Sequence, residues 1–244
     1  MSKTLLETMS KDSPPDLNID IGTDLNDNHV HLDLGKSGNC IIDFPKTMPC
    51  NHLLIKKILA DLLYKNSKHS LKLILIDNSK DGLDICNDVI HLLTPVIKDD
   101  ERVISALQWS TKEIEIRIKM FKELGVKSIE EFNQASGFTA MEYILVVICN
   151  LSKIVSTSPT KIKQMLSQIN INGRKTGFII VATTNSTRDH LTDKFFTKIT
   201  YHGVDEIEKV IYQENGSDKS MEIRLHEISD NSNNEIFDCC KPRD

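Results

Sequence analysis

MPCNHLLIKKILADLLYKNSKHSLKLILID, residues 48–77, is the stretch that decides how the chain is read. A short apolar run, Leu53-Leu54-Ile55, leads into Lys56-Lys57-Ile58-Leu59-Ala60-Asp61-Leu62-Leu63-Tyr64. A second apolar run, Leu71–Ile76, ends on Asp77. The pattern predicts strand, helix, strand, and the 15 residues 56–70 suffice for a right-handed crossover between parallel strands. In a nucleotide-binding α/β sheet, the turn from strand to helix is glycine-rich, so that backbone N–H groups wrap the phosphates. A Lys-Ser/Thr pair then opens the helix. Here no glycine lies between Gly38 and Gly82. The expectation is a scaffold without its phosphate cradle, with the loop missing between Ile55 and Lys56.

The flanks of the gap carry a resemblance. Met48-Pro49 followed by His52-Leu53-Leu54, and Leu62-Leu63-Tyr64-Lys65 at the end of the helix, resemble the borders of the Walker A loop in FtsK/SpoIIIE-family DNA translocases. Between those borders the chain is shorter by roughly a dozen residues, about one such loop. The fullest series lies further on. His91-Leu92-Leu93-Thr94-Pro95-Val96, Ala106-Leu107-Gln108-Trp109, Glu113-Ile114-Glu115-Ile116-Arg117 and Leu124-Gly125-Val126-Lys127-Ser128-Ile129 with Phe132-Asn133 follow the family's order and spacing. The resemblance covers most of residues 34–219. It implies a RecA-like, mostly parallel α/β sheet flanked by helices, and an ATP-dependent DNA motor using ATP and Mg²⁺.

The motifs that would do that chemistry are altered. Residues 143–150 form a buried-strand pattern ending in Cys149-Asn150, where the resemblance implies an Asp-Glu pair. A thiol is a poor ligand for hard, oxygen-seeking Mg²⁺, and an amide takes no proton at neutral pH. Arg174, Gly177, Ala182 and Thr183 match family positions, but Thr184-Asn185-Ser186 replaces the Gln-Arg-Pro that follows. Asp77, Arg174 and Thr183 are the positions expected to be retained. Gly35-Lys36-Ser37 mimics the end of a Walker A motif, yet Val30 stands where its first glycine belongs. That segment resembles instead the Leu-Gly-Lys…Gly-Asn hairpin before the family's loop.

Purely structural roles are expected for several of these residues. Trp109 and Phe121 are expected in the core, Glu113, Glu115 and Arg117 on a solvated face, His91 as a structural histidine, and Arg174 in a solvated loop. Cys149, at the end of a strand, would be a nucleophile only with an activating neighbour, and no histidine is near in sequence.

Residues 1–20 are expected to be a flexible tail, 21–228 the motor-like domain, and 229–244 a polar tail. Short strands are expected over 21–49. A helix with N-cap Asp99 should end at Gly125, and another should open at Ser158-Pro159. Residues 205–212 are expected as a helix and 221–228 as the last strand. Six cysteines form no CxxC pair and no Cys/His cluster in sequence, so reduced thiols of a cytoplasmic protein and no metal site are expected. No apolar run approaches the ~18 residues of a membrane span. The membrane anchor and winged-helix domain of many family members are likewise expected to be absent.

Net charge of −5 argues against strong unaided DNA binding. The expected function is a family homologue that has lost ATP binding and hydrolysis: a pseudo-motor, an interaction module or a gene relic. It would bind no nucleotide and no cofactor, bind double-stranded DNA weakly if at all, and partner an intact motor or itself. The alternatives are an active ATP-dependent translocase of chromosome segregation and cell division with a displaced phosphate site, and a thiol-based activity at Cys149.

Overall fold

The computed structural model describes residues 14–44, 52–79, 82–135, 140–185, 195, 197–204, 207–214, 220–225 and 230–242. Nine strands, β1 (Asn18–Asp24), β2 (His29–Asp33), β3 (Cys40–Asp43), β4 (Leu71–Ile76), β5 (Tyr143–Ile148), β6 (Phe178–Thr184), β7 (Thr197–Val204), β8 (Ile207–Glu214) and β9 (Ser220–Leu225), make one sheet in the order β2-β1-β9-β8-β7-β3-β6-β5-β4. From β7 to β4 the neighbours are parallel, and from β2 to β7 they are antiparallel. The parallel half is the RecA-like core. The expectation of a mostly parallel sheet holds for that half and not for the hairpins beside it.

Continuous apolar runs become the central strands because both faces are covered. Leu73, Leu75, Leu145, Val147, Ile179 and Val181 point into one cluster. Ile74, Ile76, Val146, Ile148, Ile180 and Ala182 point into the other. The first face is covered by α2 (His52–Lys65) and α7 (Asp230–Cys239), which pack on one another; a single helical turn, α1 (Leu34–Ser37), precedes β3. The second face is covered by α3 (Asp100–Leu124), α5 (Leu151–Thr157) and α6 (Pro159–Thr176), while α4 (Ile129–Ala135) follows α3.

Caps end the helices where the residue types predict. Asp99 accepts from the Arg102 N–H, Gly125 closes α3 in the left-handed region, and Pro159 follows Ser158 at the start of α6.

Several sequence expectations are corrected. Leu53-Leu54-Ile55 is the first turn of α2, not a strand. Leu54, Ile55, Ile58, Leu59, Leu62 and Leu63 form one buried helical stripe, each side chain contributing about 1.5–3 kcal/mol on full burial. The strand before that helix is β3, buried between β6 and β7. The Ile55–Lys56 junction therefore lies inside a helix, and the segment joining that strand to the helix is residues 44–51. Residues 45–51 fall outside the described set.

Residues 207–212 belong to β8 instead of a helix, because they pair antiparallel with β7 and β9. The expected Leu-Gly-Lys hairpin is the helical turn α1. β1 begins at Asn18, within the expected tail, and the C-terminal stretch folds into α7, whose Phe237 is fully buried.

Arg117 is also buried, not solvated. It donates to the carbonyls of Glu142 and Thr176 and to Glu113, and lies over the Phe178 ring. Trp109, expected in the core, is 43% exposed with its ring against Phe178, whereas Phe121 is buried as expected. Among the described residues, no helix is long and apolar enough to cross a membrane.

Candidate functional site

Ligands in parallel α/β sheets bind beyond the carboxyl ends of the strands. Four strands end side by side here. Asp77 follows β4, Cys149 and Asn150 follow β5, Thr183 and Thr184 close β6, and Asp43 closes β3. The first residue of α2, His52, comes back to the same edge.

Asp77 is held through both carboxylate oxygens. It is 2% exposed; its Oδ1 accepts the Ser79 N–H at 3.0 Å and its Oδ2 the Leu83 N–H at 2.9 Å. His52 Nε2 stands 3.3 Å from Oδ2 and 3.4 Å from the Ser79 hydroxyl. Burial alone would raise the Asp77 pKa, but hydrogen bonds from His52 and Ser79, with the charge of His52, hold it at about 2. A Cβ on Gly82 would lie 1.6 Å from Asp77 Oδ2, so only glycine lets the loop close over the carboxylate.

Asn150 occupies the left-handed region (φ 56°, ψ 62°), which asparagine tolerates better than most residues. Its side chain accepts from the Lys153 N–H at 3.2 Å and caps α5, while its own N–H donates to Thr183 Oγ1 at 2.9 Å. The residue at the expected general-base position is thus a helix cap. Cys149 beside it is a buried thiol. The end of β5 thus offers a soft donor and an amide.

The other sequence candidates lie apart. Arg174 is exposed on the last turn of α6, which leads through Gly177 into the start of β6. That is the amino end of the sheet, opposite Asp77, Cys149 and Thr183, and the arginine is on a helix rather than in a loop. Lys36 is exposed and pairs with Asp33 at 3.1 Å. His91 is buried, with Nε2 3.0 Å from the Asn66 carbonyl, as a structural histidine should be.

Sequence reasoning missed the convergence of His52, Asp77 and Cys149, whose ligand atoms all lie within 4.8 Å of one another. The residues are far apart in the chain. The available signal was positional: two follow apolar strands and one opens a helix.

The FtsK/SpoIIIE family model matches residues 3–188. A DNA translocase FtsK of Helicobacter pylori (strain J99) is 33% identical over 197 residues, 79% of this chain and 23% of that protein. DNA translocase SftA of Bacillus subtilis (strain 168) is 31% identical over 177 residues, 70% of this chain and 18% of that protein. The chain spans about a quarter or less of the length of these curated relatives.

Among solved structures, ATPases 2 and 3 of EssC from Geobacillus thermodenitrificans superpose with a TM-score of 0.77 at 17% identity. The match covers 95% of this chain and 50% of that one. The pCW3 conjugation coupling protein TcpA, with ATPγS, gives 0.71 at 16% identity, over 99% of this chain and 73% of that one. The structural likeness shows a RecA-like ATPase fold, and the sequence match shows that the chain belongs to the FtsK/SpoIIIE family.

Proposed function

We propose that this chain is a family member that does not turn over ATP and acts through its partners. The observation that carries the reading is the pair at the end of β5, where Cys149 and Asn150 stand in place of the magnesium-holding and water-activating carboxylates. A second support is the sequence joining β3 to α2, Phe44-Pro45-Lys46-Thr47-Met48-Pro49-Cys50-Asn51, which has no glycine to let backbone N–H groups close on a phosphate. Loss of a general base alone typically costs about 10²–10⁴ in rate.

The partner we propose is an intact motor of the same family. The surface we propose for it is the exposed apolar stripe of Trp109, Ile116, Met120 and Leu124 on α3. With a net charge of −5, duplex DNA is held weakly and is released as salt rises.

Thermal unfolding with and without millimolar MgATP tests the first part. A ligand at 100 times its Kd adds about 2.7 kcal/mol to native stability. No shift is expected, and a saturable rise in Tm would favour the rival reading, a working translocase whose phosphate site lies elsewhere. Copurification with a full-length family motor tests the second part. Self-association without the motor would replace the partner by a second copy.

A further inference from the structure

We propose that His52, Asp77 and Cys149 form a binding site for a thiophilic divalent cation, zinc by its chemistry, at the carboxyl edge of the sheet. Imidazole, carboxylate and thiolate are the donor types of protein zinc sites, and three protein ligands leave a fourth position for water. All three arise on rigid parts of the fold: the first turn of α2 and the ends of two adjacent, hydrogen-bonded strands. The Cys149 N–H donates to the Ile76 carbonyl at 2.9 Å, continuing the register in which Ile76 faces Ile148, so Asp77 and Cys149 stand opposite one another.

The spacing fits. Two ligands on a tetrahedral zinc at ordinary bond lengths stand about 3.3 Å apart for N and O, and about 3.6 Å apart for N and S. His52 Nε2 and Asp77 Oδ2 are 3.3 Å apart as they stand. With every pair within 4.8 Å, the thiol needs to approach by about 1.2 Å at most, within reach of a side-chain adjustment.

The support expected of a metal ligand is also present. Backbone N–H groups of Ser79 and Leu83 hold both carboxylate oxygens, and Gly82 lets the loop close over them. The Ser79 hydroxyl, 3.4 Å from His52 Nε2, is placed to bind the water in the fourth position. A helix N-terminus is by itself unfavourable for a cation. A carboxylate and a thiolate offset the two charges of zinc, so the occupied site is neutral. Binding breaks the Cys149 S–H bond and forms S–Zn, and that proton leaves to solvent; His52 Nε2 gives up the hydrogen it donates to Asp77, which moves to Nδ1 or leaves to solvent, and no redox partner is required.

The full chain, freed of metal with a chelator, is titrated with ZnCl2 and separately with CoCl2. One equivalent is expected to bind with release of at least the thiol proton, measured by calorimetry in buffers of different ionisation enthalpy. The cobalt form should show a sulfur-to-metal charge-transfer band in the near ultraviolet. Cys149→Ser should abolish that band, and His52→Ala and Asp77→Asn should each weaken binding at least tenfold, while Cys239→Ser changes nothing. Absence of stoichiometric binding, or binding unchanged in Cys149→Ser, overturns the site. Should the Cys149 variant fail to fold, zinc X-ray absorption on the wild type decides. One sulfur at about 2.3 Å with nitrogen and oxygen at about 2.0 Å supports the site, and no sulfur or several overturns it.

Discussion

Arg117 Nη1 donates to the carbonyl oxygen of Thr176 at 2.8 Å, tying the middle of α3 to the last residue of α6. The same nitrogen donates to the Glu142 carbonyl at 2.8 Å, just before β5. One side chain thereby satisfies backbone groups that the end of a helix and the start of a strand would leave open.

Replacing Arg117 with Met keeps much of the volume but leaves both carbonyls without their donor. A buried unsatisfied polar group costs about 1–3 kcal/mol, so a loss of roughly 2–4 kcal/mol is expected in urea denaturation. Arg117→Lys should fall between wild type and Met. Its ammonium reaches a carbonyl, but it lacks the Nε donor to Glu113 and the flat face over Phe178. A loss under about half a kcal/mol in the Met variant would mean that water or a rearranged turn takes over.

Two glycines in the left-handed region make a controlled comparison. Gly125 (φ 70°) has open space where a Cβ would sit, whereas at Gly177 (φ 80°) a Cβ would lie 2.4 Å from Ile129 Cδ1. Gly125→Ala should therefore cost only the backbone strain, about 1 kcal/mol. Gly177→Ala should cost that plus about 1–3 kcal/mol of overpacking. Ile129→Val removes the offending methyl, so the double variant should be less damaged than the sum of the two singles. Additive losses would show that the clash is relieved by another route.

The legible parts of the sequence were those where one local signal points one way. The runs in β4, β5 and β6, the Asp99 and Gly125 caps and the Ser158-Pro159 start are of this kind. Leu53-Leu54-Ile55 is too short to have a period of its own, and the helical stripe emerges only when it is joined to Ile58, Leu59, Leu62 and Leu63. In residues 207–212, Ile207, Val210 and Ile211 fit helical spacing as well as they fit a strand, and pairing with β7 decides. Arg117 with Glu113 four residues earlier reads as an exposed ion pair, and only the fold reveals two carbonyls waiting for it. The His52, Asp77 and Cys149 cluster exists because the register of β4 against β5 and the return of α2 bring it together. No spacing within the sequence encodes it.

Acid should destabilise the protein through His91. Burial lowers the pKa of this histidine from 6.5 to about 4, against a smaller upward pull from the Asn66 carbonyl. Between these values the unfolded chain binds a proton that the folded chain refuses, so stability is full above pH 6.5 and falls as the pH drops towards 4. The loss from this residue is about 3 kcal/mol. In His91→Gln, which stays neutral, that part of the slope between pH 6.5 and 4 should vanish. Equal slopes in the two proteins would place the acid sensitivity elsewhere.

Restoring a motor tests the functional reading, and the structure determines where the restored loop must go. Insertion of a family Walker A loop between Ile55 and Lys56 would break α2 in its second turn, where Ile55 and Ile58 are fully buried, and should unfold the chain. Replacing residues 45–51 puts the loop between β3 and α2, the strand-to-helix turn that precedes β4, and should spare the fold. That replacement alone should return nucleotide binding without turnover, because Cys149 and Asn150 still stand at the end of β5. Cys149→Asp with Asn150→Glu alone should be inactive and somewhat less stable. Glutamate at φ 56° is strained, and the α5 cap is lost, each at about 1 kcal/mol. Groups acting on one transition state are strongly non-additive, so only the variant with both repairs should release phosphate above background. Turnover in the wild type, or with the carboxylates alone, would mean that phosphates are already held elsewhere, and the proposed loss of ATP turnover would be wrong.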